Sequence, residues 1–441
     1  MVRPLDRTPG QARGSGVGSG LGHARVRRGP RLGQVWAAPG SGPGQPPARP
    51  GQDPETPVLP SLAVMKRSVI LAVAAVAIVT AAVLVWMDAR REREFRRLIA
   101  VGDAALAASQ TFEAIEAFSG ALALKPDSML ASLKRGDTYR RRGDYAAALR
   151  DLGQAAFLDS SAPRPIELLG DVQTALGQYA AAAAEYQRYL ALDDRAPGVL
   201  YKLAMAHYRN GQAARAVDPL RRAISLDDRF AEAHYLLGLS LRETDRRQSL
   251  AALRRALDIN PTFAAAREEL ARLYEQMGRW QDAIDELEAL AALEPARPER
   301  LVSVGLAYAR IGRRDTAVLT LGRAAERHPH ATVVYTALGR IWLTSAETQN
   351  DPAALAKAIE ALQPAVAQAD AVSETRALYG RALALSGNMV AAERMLLQAV
   401  AMSPVDPSAY RYLAEVARRL NHATVAKNAA AKYARLTSSA L

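Results

Sequence analysis

The sequence predicts an all-α chain, a stack of paired helices behind one membrane-crossing helix and a disordered amino-terminal tail. Three observations carry this reading. Small residues return in step at Gly102, Gly136, Gly170, Ala204, Gly238, Ala271, Gly305, Gly339, Gly380 and Ala414, at intervals of 33 or 34 residues and one of 41. Residues 68–87, SVILAVAAVAIVTAAVLVWM, carry no charge, which is apolar length enough for a helix to cross a hydrocarbon core. Residues 1–64 are rich in Gly, Pro, Arg and Ser and bury too little apolar surface to offset the entropy of ordering them.

In chain order, the tail comes first. Its run GSGVGSGLG at 14–22 lacks the preceding strand and following helix that a phosphate loop requires, so it reads as low complexity. Met65-Lys66-Arg67 followed by an apolar stretch has the layout of a bacterial signal-anchor, which makes Met65 a candidate start. The apolar span is longer than a cleavable signal core, and no small-residue cleavage site follows it. Residues 65–94 are therefore expected to form an uncleaved single-pass anchor, with the membrane held through 68–87. Arg90, Arg91, Arg93, Arg96 and Arg97 outnumber Lys66 and Arg67, which favours a cytoplasmic carboxyl side. A short basic amino terminus before a first span favours export instead. The reading adopted places the repeats outside a bacterial inner membrane.

Charge is distributed accordingly. Of the net +12, the tail contributes +5, residues 65–97 contribute +4, and the remaining 98–441 only +3. The basic balance sits beside the membrane segment and not on a folded face, so nucleic acid is not an expected partner. The chain has no cysteine, which excludes disulfides, thiol catalysis and thiolate metal sites.

Each repeat is read as two helices. Twelve residues after the small position lies a second small residue: Ala114, Ala148, Ala182, Ala216, Ala283, Ala317 and Ala392. A further alanine recurs near the end of helix B, at Ala121, Ala155, Ala223, Ala256, Ala324 and Ala399. These positions let helices A and B approach closely, so Ala148→Leu is expected to overpack the contact. Gly143, Gly177, Gly211, Gly278, Gly312 and Gly387 fall where a left-handed residue ends helix A without Cβ strain. Tyr145, Tyr179 and Trp280 follow two residues later as staples between helices. Pro126, Pro261, Pro295, Pro329 and Pro404 stop helix B. The 41-residue step marks an insertion, Thr344 to Asn350, expected as a longer surface loop of repeat eight, followed by an Asp351-Pro352 helix start. Lys427, Lys432 and Arg435 among alanines suit a solvated capping helix.

No catalytic site, metal site or cofactor site emerges. The histidines, His23, His207, His234, His328, His330 and His422, have no metal-ligand spacing with a carboxylate partner. His207 takes the place held by Tyr139, Tyr274 and Tyr308 in other repeats and reads as packing. Asp193-Asp194 and Asp227-Asp228 read as turn chemistry.

From 95 to 436 the chain resembles the tetratricopeptide-repeat family, whose period is 34 residues. The resemblance implies a right-handed superhelical α-solenoid of nine to ten repeats, with 437–441 as a tail, and a non-enzymatic scaffold whose concave groove, lined by the A helices, holds a peptide or helix of another protein. By position, the groove residues are Arg140 and Arg141 in repeat two, Tyr201, Met205, Tyr208 and Arg209 in repeat four, and Tyr235, Leu239 and Arg242 in repeat five. Members that capture acidic chaperone tails use Lys and Asn where this chain has Leu133, Asp137, Glu167 and Asp171, which disfavours that ligand. The expected role is a membrane-tethered adaptor in assembly of an envelope complex; an assembly factor for exported polysaccharide or cytochrome maturation is the alternative.

Overall fold

The structure, a computed structural model, describes residues 62–438. The first helix, α1 (Leu62–Ala107), begins just inside the stretch expected to be disordered; the rest of that tail, with its glycine run, lies outside the described residues, as do 439–441. Met1–Ile78 and Val79–Leu441 are separate compact units and are taken one at a time. Of the first, the described part is the opening of α1. From Val69 onward α1 is the one helix, among the described residues, that is long and apolar enough to cross a membrane, and its apolar window is not buried.

In the second unit α1 continues unbroken past residue 94, where the anchor was expected to end. The sequence MDARREREFRRLIA offers no Gly or Pro to stop it, and Glu92–Arg96 (2.6 Å) and Glu94–Arg97 (3.4 Å) pair along its surface. Its last turns serve as helix A of repeat one, with α2 (Thr111–Leu124) as helix B. Repeats two to five are α3 (Met129–Arg142) with α4 (Tyr145–Leu158), α5 (Pro163–Ala175) with α6 (Tyr179–Leu190), α7 (Pro197–Arg209) with α8 (Ala213–Leu226), and α9 (Ala231–Leu241) with α10 (Arg246–Ile259). Repeats six and seven are α11 (Ala264–Gln276) with α12 (Trp280–Leu293) and α13 (Pro298–Arg310) with α14 (Arg314–Arg327). The last three are α15 (Thr332–Gln349) with α16 (Pro352–Ala367), α17 (Ser373–Leu385) with α18 (Met389–Val400), and α19 (Pro407–Arg419) with α20 (Ala423–Ser438). Each helix B packs on helix A of the next repeat, and the described residues contain no strand. The result is an α-solenoid.

The small position on helix A has a specific partner. A Cβ at Gly102 would lie 2.3 Å from Phe118, at Gly136 2.8 Å from Leu152, at Gly170 2.5 Å from Tyr186, and at Gly305 2.7 Å from Leu321. The side chain of helix B sixteen residues on thus fills the space a glycine leaves, and all four are essentially excluded from solvent. The second small position, Ala114 through Ala392, is completely buried in every repeat named above. This knob and its two small neighbours form the inside of each hairpin, and stacking neighbours complete the core.

The six turn glycines adopt φ between 70° and 89°. Where glycine is missing the same left-handed place is taken by Ser109 (φ 60°) in repeat one and Asn421 (φ 61°) in repeat ten. Repeat five instead turns without one, and the Asp245 carboxylate accepts the Gln248 amide at 2.9 Å to start α10.

The insertion is not a loop. Thr344–Gln349 prolong α15, which ends on left-handed Asn350 (φ 51°), and Asp351 caps α16 by accepting from the Ala353 amide at 2.8 Å, with Pro352 in its first turn. The added residues make about one extra turn on each arm of the hairpin. Thr, Ser, Ala, Glu and Gln contain nothing that breaks a helix, and two whole turns keep the buried stripe in phase. At the end of the stack, Lys427, Lys432 and Arg435 are exposed on α20, which buries only Ala426 and Ala429.

Candidate binding face on the A helices

Successive A helices carry a ladder of ion pairs from repeat to repeat. Lys134 reaches Asp103 at 2.6 Å, Lys202 reaches Glu167 and Asp171 at 2.7 and 2.8 Å, and Arg300 reaches Glu268 at 3.0 Å. Arg381 is held between Glu347 and Glu415, 2.7 Å from each. Glu167 sits partly desolvated, which alone would raise its pKa, but Lys202 and Arg164 outweigh that and hold it below the usual carboxylate range. Asp171 also accepts from the buried Tyr186 hydroxyl at 2.9 Å. Much of the charge on this face is therefore committed within the chain, a pattern the sequence reading missed although opposite charges one repeat apart signal it.

The expected groove residues fall into three groups. Arg140 and Arg141 both turn onto Asp137, donating from Nε at 2.8 and 3.0 Å. Tyr201, Met205, Tyr208 and Leu239 come together, half-buried, around the core of repeats four and five. Within that group Tyr201 lies 5.1 Å from Phe230 at 44°, and the next repeat copies the contact, Tyr235 with Phe263 at 4.9 Å and 50°. Each pair ties helix A of one repeat to the start of the next, and burial raises both phenol pKa values. Arg209 is exposed, 6.0 Å over the Tyr179 ring of the preceding repeat. Arg242 donates to Glu269 at 2.7 Å and Glu243 at 2.9 Å, which stabilises its charged form further. Leu133, Asp137, Glu167 and Asp171 stand on the same A helices, the last three in ion pairs.

Clefts open beside the A helices at two places along the stack. One of about 330 Å³ lies among α1, α3 and α5, lined by Asp103, Lys134, Asp137, Arg141 and Leu168. A second, of about 420 Å³, lies between repeats seven and eight and is walled by the prolonged end of α15. A third, of about 220 Å³, adjoins it through Leu306 and Arg340. None of the three was legible as a set of residues in the sequence, since each combines side chains from separate helices.

His207 and His234 are buried, and loss of water around the imidazolium lowers both pKa values. No group of three metal-binding side chains occurs among the described residues.

A stack of helical hairpins presenting one row of helices along a shared face defines a repeat solenoid of the protein-interaction class. Profiles of the tetratricopeptide repeat match residues 99–163, 167–229, 201–246 and 240–303. The chain belongs to the tetratricopeptide-repeat family. Among solved structures, that of MamA is 30% identical over 36% of this chain and 95% of that one, with a TM-score of 0.34. YrrB, titled a TPR protein with an unusual peptide-binding site, is 20% identical over 43% of this chain and 98% of its own, with a TM-score of 0.39. Yeast Tom70 is 14% identical over 77% and 84%, with a TM-score of 0.43. No curated protein matches the chain in sequence.

Proposed function

We propose that the chain is a membrane-tethered scaffold whose A-helix face holds segments of other proteins, serving assembly of an envelope complex on the outer side of a bacterial inner membrane. The observation that carries the reading is the row of clefts and half-buried side chains along the A helices, which a polypeptide could cover. Aromatic and arginine side chains are the groups that dominate protein interfaces. In repeats four and five, Tyr208, Met205 and Leu239 supply apolar area, and exposed Arg209 supplies donors. The unburied apolar turns of α1 supply the tether.

The test is photo-crosslinking in intact cells, with a benzophenone amino acid at Arg209 and, as a control, at Phe157, which is 80% exposed on helix B of repeat two. Discrete protein adducts from position 209 and none from 157 are expected. Absence of adducts from 209, or the same adducts from both, overturns the reading.

A further inference from the structure

The extra turn of α15 builds one wall of the cleft between repeats seven and eight, and arginines face it. The wall presents Thr344, Ser345, Thr348 and Gln349; Arg310 from α13, Arg314 from α14 and Arg340 from α15 itself share the lining. The wall is poor in free donors. Thr344 donates to the Arg340 carbonyl at 2.9 Å and Thr348 to the Thr344 carbonyl at 2.8 Å, so their hydroxyl protons are spent on the helix itself. Ser345 accepts from Arg314 Nη1 at 2.6 Å and Gln349 Oε1 accepts from the same atom at 3.1 Å.

The arginine donors are under-used. Arg310 is exposed, stacks at 5.6 Å on the Trp280 ring, and forms no ion pair among the described residues. Arg314 lies 5.8 Å over Trp342; its Nε is shut off from water, makes no hydrogen bond, and has the carboxylate of exposed Asp315 at 3.6 Å, a loose ion pair. The Nε–Nη2 edge of Arg314 can therefore turn to a new acceptor without breaking a hydrogen bond made by Nε. Arg340 pairs with Glu374, yet its own Nε is also buried and unpartnered. Three arginines thus line one cleft with two carboxylates among them, Glu374 on Arg340 and the exposed Asp315 beside Arg314, next to the apolar side chains of Leu306 and Ile341. A planar fork of N–H donors in a half-enclosed site matches a carboxylate.

We propose that this cleft binds the carboxylate of an acidic polypeptide segment, with Arg310 and Arg314 as the donors and the prolonged end of α15 as the enclosing wall. Leu306 and Ile341 take an apolar side chain next to that carboxylate. The inference rests on the protein-holding role proposed above and names the chemistry it selects. The site lies in different repeats from Leu133, Asp137, Glu167 and Asp171, and uses arginines of its own.

The experiment measures fluorescence anisotropy of the full chain in detergent micelles with a labelled decapeptide of alternating glutamate and leucine. Replacing its glutamates by glutamine is expected to weaken binding about tenfold or more, as is Arg310→Gln combined with Arg314→Gln. Arg310→Gln alone, at an exposed position, is expected to weaken binding while the thermal melt stays unchanged. Amidating the carboxyl terminus is expected to leave binding within about twofold, because the glutamate side chains supply the carboxylate; loss of binding on amidation alone overturns the proposal. Binding of the glutamine peptide within about twofold of the acidic one, or no effect of the double substitution, overturns the proposal. So does a single-stranded oligonucleotide that binds as tightly and loses affinity in the same variant. If position 209 still crosslinks to proteins in cells while the acidic peptide fails, this site falls and the scaffold reading stands; if neither succeeds, both fall.

Discussion

Gly170 lies so close to Tyr186 that a Cβ on the glycine would sit 2.5 Å from the ring. The ring cannot retreat freely, because its hydroxyl donates to Asp171 at 2.9 Å and lies 3.2 Å from the Thr174 hydroxyl. In repeat four the equivalent pair is Ala204 with Leu220, both fully buried, so an alanine can be accommodated where the facing knob is a leucine. Gly170→Ala is therefore expected to cost about 1–3 kcal/mol, and Gly305→Ala, facing Leu321, less than about 1 kcal/mol. Urea unfolding of the two variants checks the order; equal costs would show that the hydrogen-bonded ring imposes no extra constraint.

Tyr201 and Tyr235 each reach into the following repeat, and their removal is expected to loosen that junction. Tyr201→Ala and Tyr235→Ala should each lose roughly 1–3 kcal/mol, below the cost of a fully buried aromatic because both rings are only half-buried. Tyr201→Phe keeps the ring contact with Phe230 and should stay within about 0.5 kcal/mol of the parent. The measurement is denaturant unfolding, and partner binding by Tyr201→Phe should then match the parent. A Phe variant that unfolds as readily as the Ala variant would place the contribution in the hydroxyl.

How far the sequence reveals this molecule depends on whether a property repeats. The 34-residue period, the turn glycines and the buried alanines were legible because each recurs in phase, and a recurring residue reports a shared backbone demand. The knobs Phe118, Leu152 and Tyr186 recur too, but they differ in type and are lost among other apolar residues. The Thr344–Asn350 insertion was misread because an interrupted period suggests a loop, whereas residues added in whole turns prolong a hairpin instead. The ion pairs of Arg381 with Glu347 and Glu415 stand 34 residues apart on either side, so the signal was present in the period itself. The cleft of Arg310, Arg314 and Arg340 has no such signature, since it occurs at one junction only.

Acid should weaken the fold partly through its buried histidines. His207 and His234 have pKa values below the ordinary 6.5 because burial removes water from the charged ring; Arg215 near the first and Arg255 near the second act in the same direction, while Gln212 and the Asp228 carbonyl oppose it. Each binds fewer protons folded than unfolded, so its contribution is fully present above the unfolded value of 6.5 and is lost as pH falls through the depressed native value. His207→Tyr installs the residue that other repeats carry at this position, without a charge to bury. The variant should lose less stability than the parent between about pH 7.5 and about pH 5.5. Urea midpoints at the two pH values decide it, and identical slopes would remove His207 from the account.

Restoring the common repeat length should separate the cleft from the stack. Deleting Glu347–Ala353 and changing Ala346→Gly brings Gly339, the turn glycine and Ala358 back to the spacing of Gly305, Gly312 and Ala317. Of the seven deleted residues, only Asp351 is partly buried and the rest are exposed, so little apolar area is given up. The lost Arg381–Glu347 pair is partly exposed and contributes about 1 kcal/mol or less. The shortened chain is expected to keep its helical circular dichroism and to unfold within about 2 kcal/mol of the parent. Gln349 and Thr348 go with the deletion, so the cleft loses its outer wall, and binding of the acidic decapeptide should fall with it. A variant that folds and still binds that peptide at parental strength would show that the added turns stand beside the site without forming it.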